Sequence, residues 1–286
     1  MPEADVHGVG LHYEEAGTGR TVVFVHGIPT DYRAWGAQTT EFSKDRRTIA
    51  LSRRYAYPNA RTGDIADSTV QNNAADLHGF IGQVGGGPVD LVGHSYGGFI
   101  SAFLAADHPE DVNRLVLVEP AVSTLLVADQ ASSAQLLGLL LRSPSVALSG
   151  RRFQSRSLTP SLRALEAGDK EKAVELNVDG VQDLKGAYRA LPEEVRKMMN
   201  DNARTIAELK TVFPRFTAVE AAKIRAPTLV LNGENTALWL RRIGQLVAES
   251  VPGASREMVA SARHFPHMEN PAEFNGKVRE FLGAAT

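Results

Sequence analysis

The 286-residue chain contains no cysteine, which excludes disulfides, thiolate metal sites and a cysteine nucleophile. It lacks an excess of either charge: 31 Lys and Arg stand against 33 Asp and Glu, a formal net charge of −2. That balance speaks against nucleic acid or an anionic membrane as the main partner. No uninterrupted apolar run approaches the roughly 20 residues of a membrane-spanning helix. The leucine-rich piece Leu136 to Leu141 is short and stops at Arg142. Met1 to Asp5 shows no basic segment followed by an apolar one, so no secretory leader is read there and a cytoplasmic location is expected. Internal repeats, low-complexity tracts and long charge blocks are also missing. What remains has the 43% hydrophobic and 22% charged content of an ordinary globular protein, long enough for one large domain or two small ones. Oligomeric state leaves no mark in the sequence.

The most informative stretch runs from Val89 to Gly98. An apolar strand, Val89-Asp90-Leu91-Val92, leads into Gly93-His94-Ser95-Tyr96-Gly97-Gly98, and a helix-like run follows from Phe99 to Asp107. Gly-x-Ser-x-Gly between a strand and a helix is the pattern of a nucleophile elbow. The spacing alone is weak evidence, because glycine and serine are common. The strand before, the helix after and the second small residue Gly98 make it specific. Such a turn is tight enough that the flanking glycines must lack a Cβ, and it lifts the serine hydroxyl clear of the sheet. Ser95 is the candidate nucleophile; the bland alternative is a serine in a Gly-rich turn.

Around it the chain alternates strands and helices. A hairpin is expected from Val6 to Glu15, with Gly8 and Gly10 near its turn. Strands are expected at Thr21–Val25, Arg47–Leu51, Leu115–Val118, Thr228–Leu231 and Ser255–Val259. An amphipathic segment is expected from Trp35 to about Phe42, and helices from Ser68 to Val84 with Ser68 as N-cap, Ala237 to Glu249, and Pro271 to Leu282. This alternation predicts an α/β fold with a mostly parallel central sheet flanked by helices. About a hundred residues then lack strand rhythm and read as helices at Ala131–Leu141, Ser161–Asn177 and Pro192–Val212. They are too many for a structureless loop. The expected organisation is a core of residues 1–120 and 223–286, with a helical cap of residues 121–222 rising from the sheet edge where strands end.

Three motifs now coincide: His26-Gly27-Ile28-Pro29, Gly93-His94-Ser95-Tyr96-Gly97-Gly98, and His264-Phe265-Pro266-His267-Met268-Glu269-Asn270-Pro271. With them the sequence resembles the α/β-hydrolase superfamily over almost the whole chain except the cap. A serine hydroxyl needs a base within hydrogen-bond reach, and the resemblance puts His264 in that role, with His267 in reserve. Arg263 stands where the family usually has glycine, which would set a cation beside the base. The usual acid position, three residues after Gly233, holds Thr236, which has no carboxylate. The superfamily's other acid position, at the end of the strand after the nucleophile helix, holds Glu119; Glu234 is the alternative. The order Ser95, Glu119, His264 keeps serine, acid, histidine. By the same resemblance the backbone N–H groups of Ile28 and Tyr96 would form the oxyanion hole, and His26 would brace its loop. Trp35, Arg53, Arg54 and Tyr57 are candidates to line the pocket, one of the arginines to meet a substrate carboxylate.

The resemblance implies a small-molecule substrate and no cofactor or metal. It implies a serine hydrolase acting on a carboxylic ester or lactone. Cleavage of an activated carbon–carbon bond, cofactor-free lyase or oxygenase chemistry, and a non-catalytic binding protein on the same scaffold are the alternatives. Serine at position 95 argues against the haloalkane dehalogenase and epoxide hydrolase branches, which carry aspartate there. The fold hosts many chemistries, so the substrate itself is not specified.

Overall fold

A computed structural model describes residues 1–59, 63–128 and 131–283. Eight strands form one sheet in the order β1-β2-β4-β3-β5-β6-β7-β8: β1 (Glu3–Val6), β2 (Val9–Ala16), β3 (Thr21–Val25), β4 (Arg47–Leu51), β5 (Val89–His94), β6 (Val112–Val118), β7 (Thr228–Gly233) and β8 (Ser255–Val259). The hairpin β1–β2 pairs antiparallel and β2 joins β4 antiparallel; every other pairing is parallel. The hairpin begins earlier than its apolar residues suggest. His7 and Gly8, both at positive φ, make the turn, and Gly10 pairs with Asp5 inside the ladder.

The central strands are apolar without alternation because both their faces are covered. Along β3, Val22 and Phe24 join one buried cluster while Val23 and Val25 join another, as a period of two requires. One face packs against α1 (Gly36–Phe42) and α13 (Pro271–Leu282), through Phe42, Phe274, Val278 and Leu282. The other packs against α2 (Val70–Phe80), α3 (Tyr96–Asp107) and α11 (Leu238–Ser250), through Leu77, Phe80, Phe99, Ile243 and Val247. Thr69, not Ser68, caps α2, accepting from the Asn72 N–H at 3.1 Å; Ser68 is turned inward onto Glu208. The helix gives way at Ile81 to one wider turn, Ile81–Gly85.

Between β6 and β7 the chain leaves the sheet and builds α4 (Ser133–Arg142), α5 (Pro144–Phe153), α6 (Thr159–Glu166), α7 (Lys170–Val181), α8 (Ala187–Ala190), α9 (Glu193–Asp201), a 3₁₀ stretch Ala203–Lys210 and α10 (Ala218–Ala221). A single helix expected over Ser161–Asn177 is two, because Gly168 sits at φ +84° and Asp169 caps the second by accepting from the Lys172 N–H. A short helix, α12 (Pro266–Glu269), precedes α13. Among the described residues no helix is long and apolar enough to cross a membrane.

Candidate active site

The junction of β5 and α3 is as constrained as its sequence requires. Ser95 lies at φ 53°, ψ −117°, a region that a non-glycine residue enters only when its surroundings hold it there. Its N–H donates to the Val118 carbonyl at 2.9 Å, and its carbonyl accepts from the Phe99 N–H at 3.1 Å. A Cβ on Gly97 would come within 2.4 Å of the His26 carbonyl oxygen, and one on Gly93 within 2.4 Å of Ser101 Oγ. Both flanking glycines are therefore required by close approach.

The loop after β8 brings His264 over this turn, with Nε2 3.0 Å from Ser95 Oγ. Behind the ring, Nδ1 lies 3.5 Å from Oε2 of Glu119, at the far limit of hydrogen bonding. Glu119, the residue after β6, is fully buried and sits at φ 47°. Its carboxylate accepts from the Gly233 N–H at 2.7 Å, Asn232 Nδ2 at 3.1 Å and Thr236 Oγ1 at 2.7 Å. The structure thus brings Glu119 to His264 and not Glu234, which is exposed and accepts from the Ser261 N–H. Thr236 supplies a hydroxyl that fixes the carboxylate standing in the neighbouring position.

Two residues that hold His264 left no signal in the sequence. Gln182, just past α7, accepts from the His264 N–H through Oε1 at 2.9 Å. His94 lies 2.7 Å through Nε2 from the His264 carbonyl. Burial keeps the His94 pKa well below its ordinary value, so the ring is neutral, its proton sits on Nε2, and Nε2 is the donor. His267 is buried and packs against Trp35, the ring centroids 4.4 Å apart and the planes tilted by 30°. Burial, with His264 adding a smaller push, lowers its pKa to about 3, and it makes no contact with Ser95 among those described. The Arg263 guanidinium donates to the carbonyls of Gln182 and Asn235, so it ties the loop down.

Ser95, Tyr96, Ile28 and His264 share one cavity of about 1150 Å³. Among the described residues no acceptor engages the backbone N–H of Ile28 or of Tyr96. The loop carrying Ile28 is held by His26, whose Nδ1 meets the Gly27 carbonyl at 2.9 Å and whose Nε2 accepts from the Arg53 N–H at 3.0 Å. Burial first, and the Arg53 charge second, push the His26 pKa well down, so it too is neutral. The remaining cavity wall is chiefly apolar, from the segment between β6 and β7 and from α11: Leu126, Leu139, Leu162, Val181, Phe213 and Leu240 among others. The volume is large for a ligand pocket.

None of the four residues expected to line the pocket does so. Trp35 is fully buried against Phe24 and His267, under the sheet face that carries α1. Arg53 is buried, with Nη1 3.0 Å from Glu208 Oε2 and Nε donating to the His26 carbonyl. Arg54 binds Asp76 with two donors at 2.6 and 2.7 Å. The Tyr57 ring lies outside, under the Arg33 guanidinium at 4.4 Å. The β4 loop points its cations at acids of the protein itself, so neither is free for a substrate carboxylate.

Elsewhere His78, His108 and Asp111 bring possible ligand atoms within 4.8 Å of one another. The two imidazoles stack at 3.8 Å with 16° between planes. Two rings so nearly parallel cannot both hold one ion in their planes, where the imidazole lone pairs lie.

A model of the alpha/beta hydrolase family matches residues 22–277, and the chain belongs to that family. It is similar to epoxide hydrolase 3 of Xenopus tropicalis, 26% identical over 286 residues that span 96% of this chain and 75% of that protein. Among solved structures it is similar to an esterase from Exiguobacterium antarcticum, at TM-score 0.73 and 16% identity over 98% of each chain. It is also similar to an enol-lactonase from Burkholderia xenovorans LB400, at TM-score 0.68 and 20% identity over 98% of this chain and 99% of that one. At these identities the structural likeness speaks for the fold.

Proposed function

We propose that the protein is a serine hydrolase that cleaves a carboxylic ester or lactone through an acyl-enzyme on Ser95. The observation that carries this reading is the 3.0 Å approach of His264 Nε2 to Ser95 Oγ, with the Glu119 carboxylate behind the ring. Ser95 Oγ attacks the carbonyl carbon while His264 takes its proton. The carbonyl oxygen, now negative, is held by the N–H groups of Ile28 and Tyr96, preorganised donors that strengthen as charge develops. Glu119 orients the imidazole and stabilises the imidazolium; a loose acid–base contact in the free enzyme tightens as that charge appears. The imidazolium then protonates the departing alkoxide. Water, deprotonated by His264, attacks the acyl carbon and frees Ser95 and the acid.

The identity of the nucleophile favours acyl transfer over epoxide opening. An alkoxide that opened an epoxide would leave an ether on Ser95, with no carbonyl for water to attack. A carboxylate nucleophile leaves a hydrolysable ester. The names of the esterase and enol-lactonase neighbours agree with acyl chemistry. Residues 121–222 serve as a cap over the site, and their apolar lining suits a substrate with a bulky hydrocarbon part.

A fluorophosphonate probe tests the reading, since it phosphonylates only an activated serine. The wild-type protein is expected to be labelled and to hydrolyse a simple aryl ester. Ser95→Ala is expected to lose labelling, and both Ser95→Ala and His264→Ala to lose about 10³-fold or more in kcat. Equal labelling of Ser95→Ala, or no labelling of the wild type, overturns it.

A further inference from the structure

The segment that roofs the cavity is unlike the rest of the molecule. Between Asp129 and Glu166 there is no acidic residue, but there are five arginines: 142, 151, 152, 156 and 163. With −2 over the whole chain and +5 here, the remainder carries −7. All five are exposed. Among the described residues only Arg152 has an acid within ion-pair reach, Asp183 at 3.9 Å. Beside them stand exposed leucines: Leu136, Leu137, Leu140, Leu141 and Leu148, the fourth of these 74% exposed. Helix α4 buries no residue at all, although half of it is leucine.

We propose that this α4–α5 surface docks the protein onto an anionic lipid bilayer. Water solvates aliphatic side chains poorly, and a bilayer interface receives them while its negative headgroups attract the guanidinium groups; helices with these two properties lie in the interface. A second copy of the chain is disfavoured as the occupant, because self-pairing would set five arginines against five. A protein partner is disfavoured because the patch exposes aliphatic leucines without the aromatic anchors that dominate protein interfaces; Phe153, the aromatic of α5, stacks on Trp239 at 4.9 Å. The surface is also continuous with the cavity. Leu136, Leu137, Leu140 and Leu148 are exposed and line it as well, so a docked molecule turns the cavity mouth toward the lipid. The docking is independent of the chemistry assigned to Ser95.

Vesicle co-sedimentation of the full chain tests this. Vesicles of phosphatidylcholine are compared with vesicles of equal parts phosphatidylcholine and phosphatidylglycerol. Binding is expected only to the anionic vesicles and is expected to weaken with added salt, since exposed charges are screened within about 10 Å at 0.1 M. Arg142→Gln, Arg152→Gln and Arg156→Gln, none of which lines the cavity, are each expected to weaken binding about fivefold. Leu141→Gln is expected to weaken it further. All four are expected to keep wild-type turnover of a soluble aryl ester, which shows them folded, and Ser95→Ala is expected to bind vesicles as the wild type does. No binding to anionic vesicles, or equal binding to both kinds that the substitutions leave unchanged, overturns the proposal. So does a dimer in light scattering that Leu141→Gln dissociates, which would give the surface to a second copy.

Discussion

Thr236 and Glu119 occupy neighbouring positions behind the His264 ring. The hydroxyl of Thr236 touches the carboxylate of Glu119 at 2.7 Å, so a side chain at either position reaches the same space behind His264. On the proposed mechanism, Glu119→Gln keeps the packing but offers an amide where the imidazole needs a carboxylate. Turnover of an aryl ester is expected to fall by about 10⁴, with the protein still folded. Adding Thr236→Asp to Glu119→Gln is expected to restore at least about tenfold, because a carboxylate returns to the same space. A nearly active Glu119→Gln alongside a dead Glu234→Gln would refute the assignment. The elbow was legible because its constraints are local: Gly93, Ser95 and Gly97 lie within five residues, and each glycine answers to its own close contact. Gln182 and His94, which pin the two backbone ends of His264, were not. Their roles exist only after residues 82 and 170 positions away in sequence have been brought together.

At the scale of elements, the loop after β4 and the 3₁₀ stretch 203–210 are joined by a buried pair. Arg53 and Glu208 are 2% and 0% exposed at their side chains; Glu208 also accepts from Ser68 Oγ at 2.8 Å, and Asn73 Oδ1 meets Arg53. The pair ties the segment between β6 and β7 to the core below it, and the Arg53 guanidinium lies over the Tyr96 ring at 5.0 Å. Removing one member strands a buried charge. Arg53→Met is expected to cost about 3–5 kcal/mol in urea unfolding, while Arg53→Met with Glu208→Leu is expected to recover most of that loss. Additive losses in the double variant would mean the two side chains act separately. The sequence offered Arg53 as a substrate contact because a cation on a loop after a strand end is ambiguous until its acid is known. That acid lies 155 residues away. Elements with local punctuation were read well: β8 spans Ser255–Val259, and α13 spans Pro271–Leu282 behind an Asn270 cap. Helix α5 was missed because Gly150 and two serines, Ser145 and Ser149, blur its period.

For the molecule as a whole, a net charge of −2 conceals an internal division of sign, and the arginine face does not show in the total. A second whole-molecule property comes from histidines gathered at one end of the sheet from remote parts of the chain. His26 follows β3, His94 ends β5 and His267 lies beyond β8; all three are buried. Burial lowers the first two well below 6.5 and the third to about 3. Each stays neutral in the folded protein, while the unfolded chain protonates all three as pH drops. Their stability contribution is complete above about pH 6.5 and is lost as pH falls below it, for His267 toward about 3. Carboxylates with lowered pKa, such as Glu175 at about 2, act in a lower window, below about 4.5. Glu208, raised by burial, works in the opposite sense, so the difference between variants is more informative than the raw slope. His267→Phe preserves a ring against Trp35 but removes one titrating group. Between about pH 5 and 6 it is expected to flatten the dependence of unfolding free energy on pH by about 1.4 kcal/mol per pH unit, the contribution of one proton. Urea melts across that range measure it. An unchanged slope would mean that His267 takes up its proton in the folded state as readily as in the unfolded chain, and that water reaches a ring the structure seals against Trp35.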